Sequence, residues 1–166
     1  MVIMVEEAAR MGVEFLSFPE LALTPYFCTY VREEFDHYFD TTMPSPESEP
    51  LFHAAKERGI SFVLPYAEKE GETYYNSALV TNSDGRIVGK FRKIHIPGTV
   101  DPTGSGSPEI LEKRYFTPGD LGFPVFETVK AKTGVLICYD RRFPESFRCL
   151  GVGGAEVICS PYNTPV

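Results

Sequence analysis

The sequence predicts an α/β (α+β) domain built on a mixed sheet, and three observations carry that reading. A buried-strand pattern, a short helix and a second buried-strand pattern follow one another over 132–160. A strand–helix–strand unit of that kind lays its two strands side by side and parallel. Two β-rich runs flank Asn82-Ser83-Asp84-Gly85, a hairpin turn with glycine where positive φ is tolerated, so the same chain also holds antiparallel pairs. Finally, the 166 residues are 43% hydrophobic and 23% charged, a balance that suits one folded domain and excludes disordered or fibrous chains.

In chain order, residues 1–11 read as a helix. Val2, Val5, Ala8, Ala9 and Met11 fall near helical spacing, and Gly12 suits the position after the last turn. The periodic stretch begins with no N-cap before it. Residues 13–18 form an apolar run fit for a buried strand, ended by Pro19. A second helix is predicted over 48–58, closed by Gly59, and strands over 60–67, 74–81 and 86–92. The segment 97–109 is rich in Pro, Gly and Ser and reads as a long loop, often a functional feature at that length. Strands over 132–138 and 155–160 then bracket a short helix over 144–150.

Charge narrows the function. Lys plus Arg number 16 against 23 Asp plus Glu, a net charge of −7, and no basic block interrupts the sequence. Such a chain suits neither nucleic acid nor anionic lipid. No apolar run approaches the ~20 residues that span a bilayer. Cys28, Cys138, Cys149 and Cys159 form no Cys-x-x-Cys pair and have no histidine at zinc-ligand spacing. The start MVIMVEEAARMG lacks the basic region and cleavage site of a signal peptide. Reduced thiols and a cytoplasmic location are therefore expected.

Three side chains could carry chemistry. Cys138 sits where a strand ends and a helix is about to begin, in a sequence reading Gly-Val-Leu-Ile-Cys-Tyr-Asp-Arg-Arg. A helix N-terminus and the neighbouring Arg141 and Arg142 would favour its thiolate, although the position equally suits a buried structural cysteine. Glu20, between Pro19 and Leu21 at another strand end, could be desolvated into a general base, or be a loop glutamate in water. Lys93, among Ile94, Ile96 and Pro97, could donate to an oxyanion, or belong with Lys90 and Arg92 to a solvated strand edge. His95 reads as a packed or hydrogen-bonded structural histidine, and Glu112, in Leu-Glu-Lys-Arg, as part of a surface helix.

Taken together and in that order, FPELALT around Glu20, GKFRKIHIPG around Lys93 and GVLICYDRRFPES around Cys138 resemble the nitrilase superfamily of carbon–nitrogen hydrolases. LEKRYFTPGDLGFPVF and GGAEVICSPYNTP look most like its N-carbamoyl-D-amino acid hydrolase branch. The resemblance implies Cys138 as nucleophile, Glu20 as general base, Lys93 as oxyanion stabiliser and Glu112 as a second carboxylate beside them. It implies that Arg141 and Arg142 hold a substrate carboxylate, a task suited to bidentate guanidinium, and that Asn163 adds a polar contact. It further implies an N-carbamoyl amino acid or amide as substrate, no metal or organic cofactor, and a homo-oligomer. Ile110 stands where that branch carries histidine and Tyr139 where it commonly carries asparagine. Those departures keep open another nitrilase-like amidase, such as one for N-carbamoyl-β-amino acids, or a catalytically silent chain. The implied fold is a four-layer α-β-β-α sandwich, of which 1–166 would be a partial domain truncated at both ends, and as such it would turn over little by itself.

Overall fold

Helix α1 (Val2–Arg10) and helix α2 (Glu49–Arg58) turn their buried residues toward each other and toward one sheet. Val5 and Ala8 on α1 meet Leu51, Phe52, Ala54 and Ala55 on α2, the three-to-four-residue spacing that lines one helical face. Each helix ends as the sequence predicts. Gly12 follows α1 at φ 74°, and Gly59 follows α2 at φ 66°, where Ile60 N–H returns to the Ala55 carbonyl at 2.9 Å. The computed structural model describes residues 1–105, 109–128 and 130–163.

The first sheet holds β1 (Phe15–Ser17), β2 (Ser61–Glu70), β3 (Thr73–Thr81) and β4 (Ile87–Arg92), in that order. β1 pairs parallel with β2, while β2–β3 and β3–β4 are antiparallel. It follows that β1 and β4 run the same way and deliver the residues after them to one end of the sheet. β2 is buried along most of its length because both its faces are covered. Phe62, Leu64 and Tyr66 pack under the helices, whereas Val63 faces the other way.

The second sheet holds β5 (Val125–Glu127), β6 (Lys132–Val135) and β7 (Val157–Cys159), with β5–β6 antiparallel and β6–β7 parallel. The parallel pair is the one that the strand–helix–strand pattern predicts. Its crossover contains helix α4 (Pro144–Val152). Val63, Ala78, Val80 and Phe91 of the first sheet meet Phe126, Val135 and Ile137 from the second. Glycines allow close approach on both faces of that layer. A Cβ on Gly89 would lie 2.2 Å from the Phe126 ring, and one on Gly134 would lie 2.7 Å from Leu150 of α4. The layers therefore run helix, sheet, sheet, helix.

Several boundaries differ from the sequence reading. The strand predicted over 13–18 is regular only over Phe15–Ser17, although Phe18 N–H still bonds the Val63 carbonyl. The strand predicted over 60–67 runs on to Glu70, because the turn at Gly71 (φ 59°) closes a hairpin with β3. The strand predicted over 132–138 stops at Val135, where the chain turns toward a 3-10 helix over Cys138–Arg142. β5 lies in a stretch with no strand pattern; its pairing with β6 creates it. Val157 on β7 is 45% exposed, as expected of a sheet edge in a partial sandwich. Of the loop predicted over 97–109, positions 106–108 lie outside the described residues, and the remainder is irregular.

An aromatic group packs beside the loop that follows β1. Phe27 stacks on Tyr38 at 4.5 Å and meets Tyr115 edge-on at 5.2 Å. Tyr115 ends the short helix α3 (Glu112–Tyr115), so this group fixes α3 against the loop that follows β1.

The contact between sheets is testable. Gly89→Ala is expected to destabilise the fold by about 1–3 kcal/mol through overpacking against Phe126. Phe126→Leu should recover part of that loss, seen in a double-mutant cycle of denaturant midpoints.

Candidate active site

Three fully buried charges meet beyond the ends of β1 and β4. Lys93 Nζ lies 2.7 Å from Glu20 Oε1 and 2.6 Å from Glu112 Oε2, each an ion pair with no solvent access. The remaining carboxylate capacity is also used. Asn76 Nδ2 donates to Glu20 Oε1 at 2.9 Å, Asn163 N–H donates to Glu20 Oε2 at 2.9 Å, and Tyr26 O–H donates to Glu112 Oε1 at 2.7 Å. Cys138 Sγ stands 3.9 Å from the Asn163 carbonyl, half-buried beside the array.

Local backbone explains how each side chain gets there. After Phe18 the chain must leave the sheet at once, and Leu21 does so at φ 53°. Cys138 has φ 49°, and these two are the non-glycine residues with positive φ among those described. That region costs free energy for any residue with a Cβ, and it marks sites where the surrounding structure overrules local preference. Cys138 N–H bonds the Pro161 carbonyl at 2.8 Å, which seats the turn against the segment after β7. Lys93 is held by its own N–H to Asn76 O and by Gly119 N–H to its carbonyl, both at 2.8 Å. A Cβ on Gly119 would fall 2.2 Å from the Arg92 carbonyl, so glycine is needed for that approach. One residue earlier, Arg92 grips Glu68 through Nε at 2.9 Å and Nη2 at 2.7 Å and lies 3.8 Å over the Tyr75 ring.

The electrostatics follow from burial. Removal from water pushes the Glu112 carboxyl above its ordinary range; Lys93 opposes this and the neighbouring Glu20 adds to it. For Lys93 burial acts downward, but the carboxylates of Glu112 and Glu20 outweigh it and the ammonium titrates above its ordinary range. The Cys138 thiol is pushed up to about 11, by burial first and then by the Glu20 carboxylate, with Lys93 pulling the other way. The sequence reading of a thiolate favoured by a helix end and two arginines is thus corrected. Arg141 places its guanidinium 4.2 Å over the Tyr162 ring, Arg142 is exposed, and the resting sulfur is a thiol that needs a base.

Glu20, Lys93, Glu112, Cys138 and Asn163 are therefore brought together. Two bland expectations fail: Glu112 is fully buried rather than on a surface helix, and Lys93 with Arg92 is buried rather than on a solvated edge. Arg141 is half-buried and Arg142 exposed, three and four residues past Cys138, and neither has a carboxylate partner among the described residues. His95 is hydrogen-bonded, as expected, with Nδ1 2.8 Å from Asp140. Tyr26, Asn76 and Asp140 were missed. Tyr26 and Asn76 lie in stretches that read as ordinary loop and strand, and only their hydrogen bonds reveal them. Asp140 carried a readable signal, an acidic residue inside the Cys-Tyr-Asp-Arg turn.

Fold and site together define an α-β-β-α sandwich with a thiol beside a carboxylate–ammonium–carboxylate array at one sheet end. The Carbon-nitrogen hydrolase family model matches residues 1–165, and the chain belongs to that family. It is 37% identical over 158 residues to N-carbamoylputrescine amidase of Solanum tuberosum, covering 95% of this chain and 50% of that protein. It is 34% identical over 164 residues to beta-ureidopropionase of Arabidopsis thaliana, covering 96% of this chain and 38% of that protein. A carbon-nitrogen hydrolase from Helicobacter pylori G27 superposes with a TM-score of 0.85 at 29% identity, over 99% of this chain and 53% of that one. The chain spans about half the length of the relatives it matches.

Lys93→Met leaves Glu20 and Glu112 facing each other in a dry site. It is expected to cost about 3–5 kcal/mol at neutral pH. An unpaired buried carboxyl has a folded-state pKa raised above the unfolded value. The deficit should therefore be smallest near about pH 4 and widen as pH rises, read from urea midpoints across pH.

Proposed function

We propose that this chain carries the catalytic centre of a cysteine-dependent hydrolase of N-carbamoyl compounds, with N-carbamoyl amino acids, the D-enantiomers first among them, as substrates. The observation that carries this reading is the buried Glu20–Lys93–Glu112 array against a thiol on a strained turn. Glu20 takes the Cys138 proton, which the raised thiol pKa demands of a neighbouring base. The sulfur attacks the ureido carbonyl carbon. Lys93 Nζ, with two of its N–H groups spent on Glu20 and Glu112, donates the third to the developing oxyanion, and Tyr139 N–H in the first turn of the 3-10 helix supplies a second donor. The terminal C–N bond breaks and ammonia leaves with the proton from Glu20. Water, deprotonated by Glu20, then splits the thioester-like intermediate, and the released carbamate decomposes to carbon dioxide and the amine. Glu112 holds Lys93 in place throughout.

Arg141 supports a carboxylate-bearing substrate. Its guanidinium lies over Tyr162, next to Asn163, with no acid partner among the described residues. A second reading has its own support in the relatives, one of which is named for N-carbamoylputrescine and carries no carboxylate requirement in that name. Arg142 and Asn163 are assigned to the substrate on the strength of the motif resemblance and their position next to Cys138.

In protein expressed from the complete reading frame, Cys138→Ala should abolish ammonia release from N-carbamoyl amino acids. Cys149→Ala, at an exposed site on α4, should leave most of it. Equal loss in both variants would remove Cys138 from its role. Arg141→Lys keeps the charge but loses the bidentate fork, and should raise KM for N-carbamoyl amino acids by about tenfold while sparing simple amides. Similar KM changes for both substrate types would favour an amine or amide substrate.

A further inference from the structure

One buried carboxylate joins the two chain segments that carry Lys93 and Cys138. Asp140 follows Cys138 by two residues and has no solvent access. Its Oδ1 accepts the His95 backbone N–H at 2.9 Å and lies 2.8 Å from His95 Nδ1. Its Oδ2 accepts the Ile137 N–H at 3.2 Å. The first pair reaches the residue two past Lys93. The other bond closes across Cys138 itself, from the residue after Tyr139 back to the residue before the sulfur. The His95 ring is gripped from its other side by Phe143, stacked at 3.7 Å and 11°.

We infer that Asp140 is a positioning residue that locks the strained Cys138 turn to the Lys93 segment and so holds the sulfur against Asn163 and Glu20. It takes no part in the proton and bond changes proposed above. A φ of 49° is unfavourable for cysteine and persists only where other bonds impose it. The Oδ2 bond to Ile137 is such a bond, and the two Oδ1 contacts anchor it to a different strand end. Both oxygens must accept, because the groups facing them include two backbone N–H donors. Asparagine has the same shape, but its amide would turn N–H against N–H on one side. Burial raises the Asp140 carboxyl, and the backbone and ring of His95 oppose that shift. The importance of this lock for catalysis rests on Cys138 being the nucleophile; the lock itself does not.

The test is Asp140→Asn in protein from the complete reading frame, with iodoacetamide labelling at about pH 8 followed peptide by peptide. Three thiols in one molecule serve as separate reporters. Cys138 reports the turn, fully buried Cys28 reports the integrity of the fold, and exposed Cys149 reports the reagent. A released turn lets the Cys138 thiol leave its burial and titrate lower. Each tenfold gain in thiolate quickens alkylation about threefold, since a less basic thiolate is a weaker nucleophile. The expected result is a Cys138 rate at least about threefold above wild type, with Cys28 still protected, Cys149 unchanged and kcat reduced at nearly constant KM. An unchanged or slower Cys138 rate overturns the lock, and so does labelling of Cys28 in step with Cys138, which would make Asp140 a general support of the fold. Absence of ammonia release from wild type would sink the hydrolase reading alone, since the labelling pattern does not depend on turnover.

Discussion

A single ammonium shared by two carboxylates, all three out of reach of water, is the constraint from which the rest of this structure follows. Charges can be removed from solvent only where geometry and further hydrogen bonds repay the lost hydration. Here the further bonds come from three different parts of the chain. Asn76 belongs to β3, Asn163 follows β7 and Tyr26 lies in the loop after β1. The array therefore cannot form until both sheets are in register. The geometry of the candidate site and the fold are tied to the same atoms.

The two non-glycine residues at positive φ sit at the two places where chain must turn sharply into this array. Leu21 follows Glu20 directly and its side chain is buried among Phe27, Leu111 and Tyr115. Packing thus imposes a backbone conformation that leucine by itself avoids. At Cys138 hydrogen bonding does the same work, through Pro161 on one side and Asp140 on the other. Strain at Leu21 and at Cys138 is held by two different means.

Much of this arrangement was legible from residues alone. The helices around Val5 and Phe52, the hairpin at Gly85 and the parallel pair of β6 and β7 follow local pattern, because spacing and turn chemistry are local properties. Glu20, Lys93 and Cys138 were visible as residues at strand ends. What stayed hidden depends on partners distant in sequence. Glu112 reads as a surface glutamate because its neighbours Lys113 and Arg114 are polar, and its burial is decided by Lys93 and Tyr26. The thiol was misjudged for the same reason. Arg141 and Arg142 are near it in sequence, but burial acts on it first and then Glu20, more than a hundred residues away. β5 shows no strand pattern of its own and owes its conformation to β6.

The chain has no tryptophan and nine tyrosines, two of which stand at the wall that carries Glu112. Tyr26 is hydrogen-bonded to Glu112, and Tyr115, which ends the helix that Glu112 begins, sits edge-on to Phe27 beside Tyr38. Rings fixed in asymmetric surroundings dominate near-ultraviolet circular dichroism. Tyr26 and Tyr115 on the wall that carries Glu112, together with buried Tyr66 and Tyr75, therefore contribute to the near-ultraviolet signal, which loss of that wall would change without any introduced label.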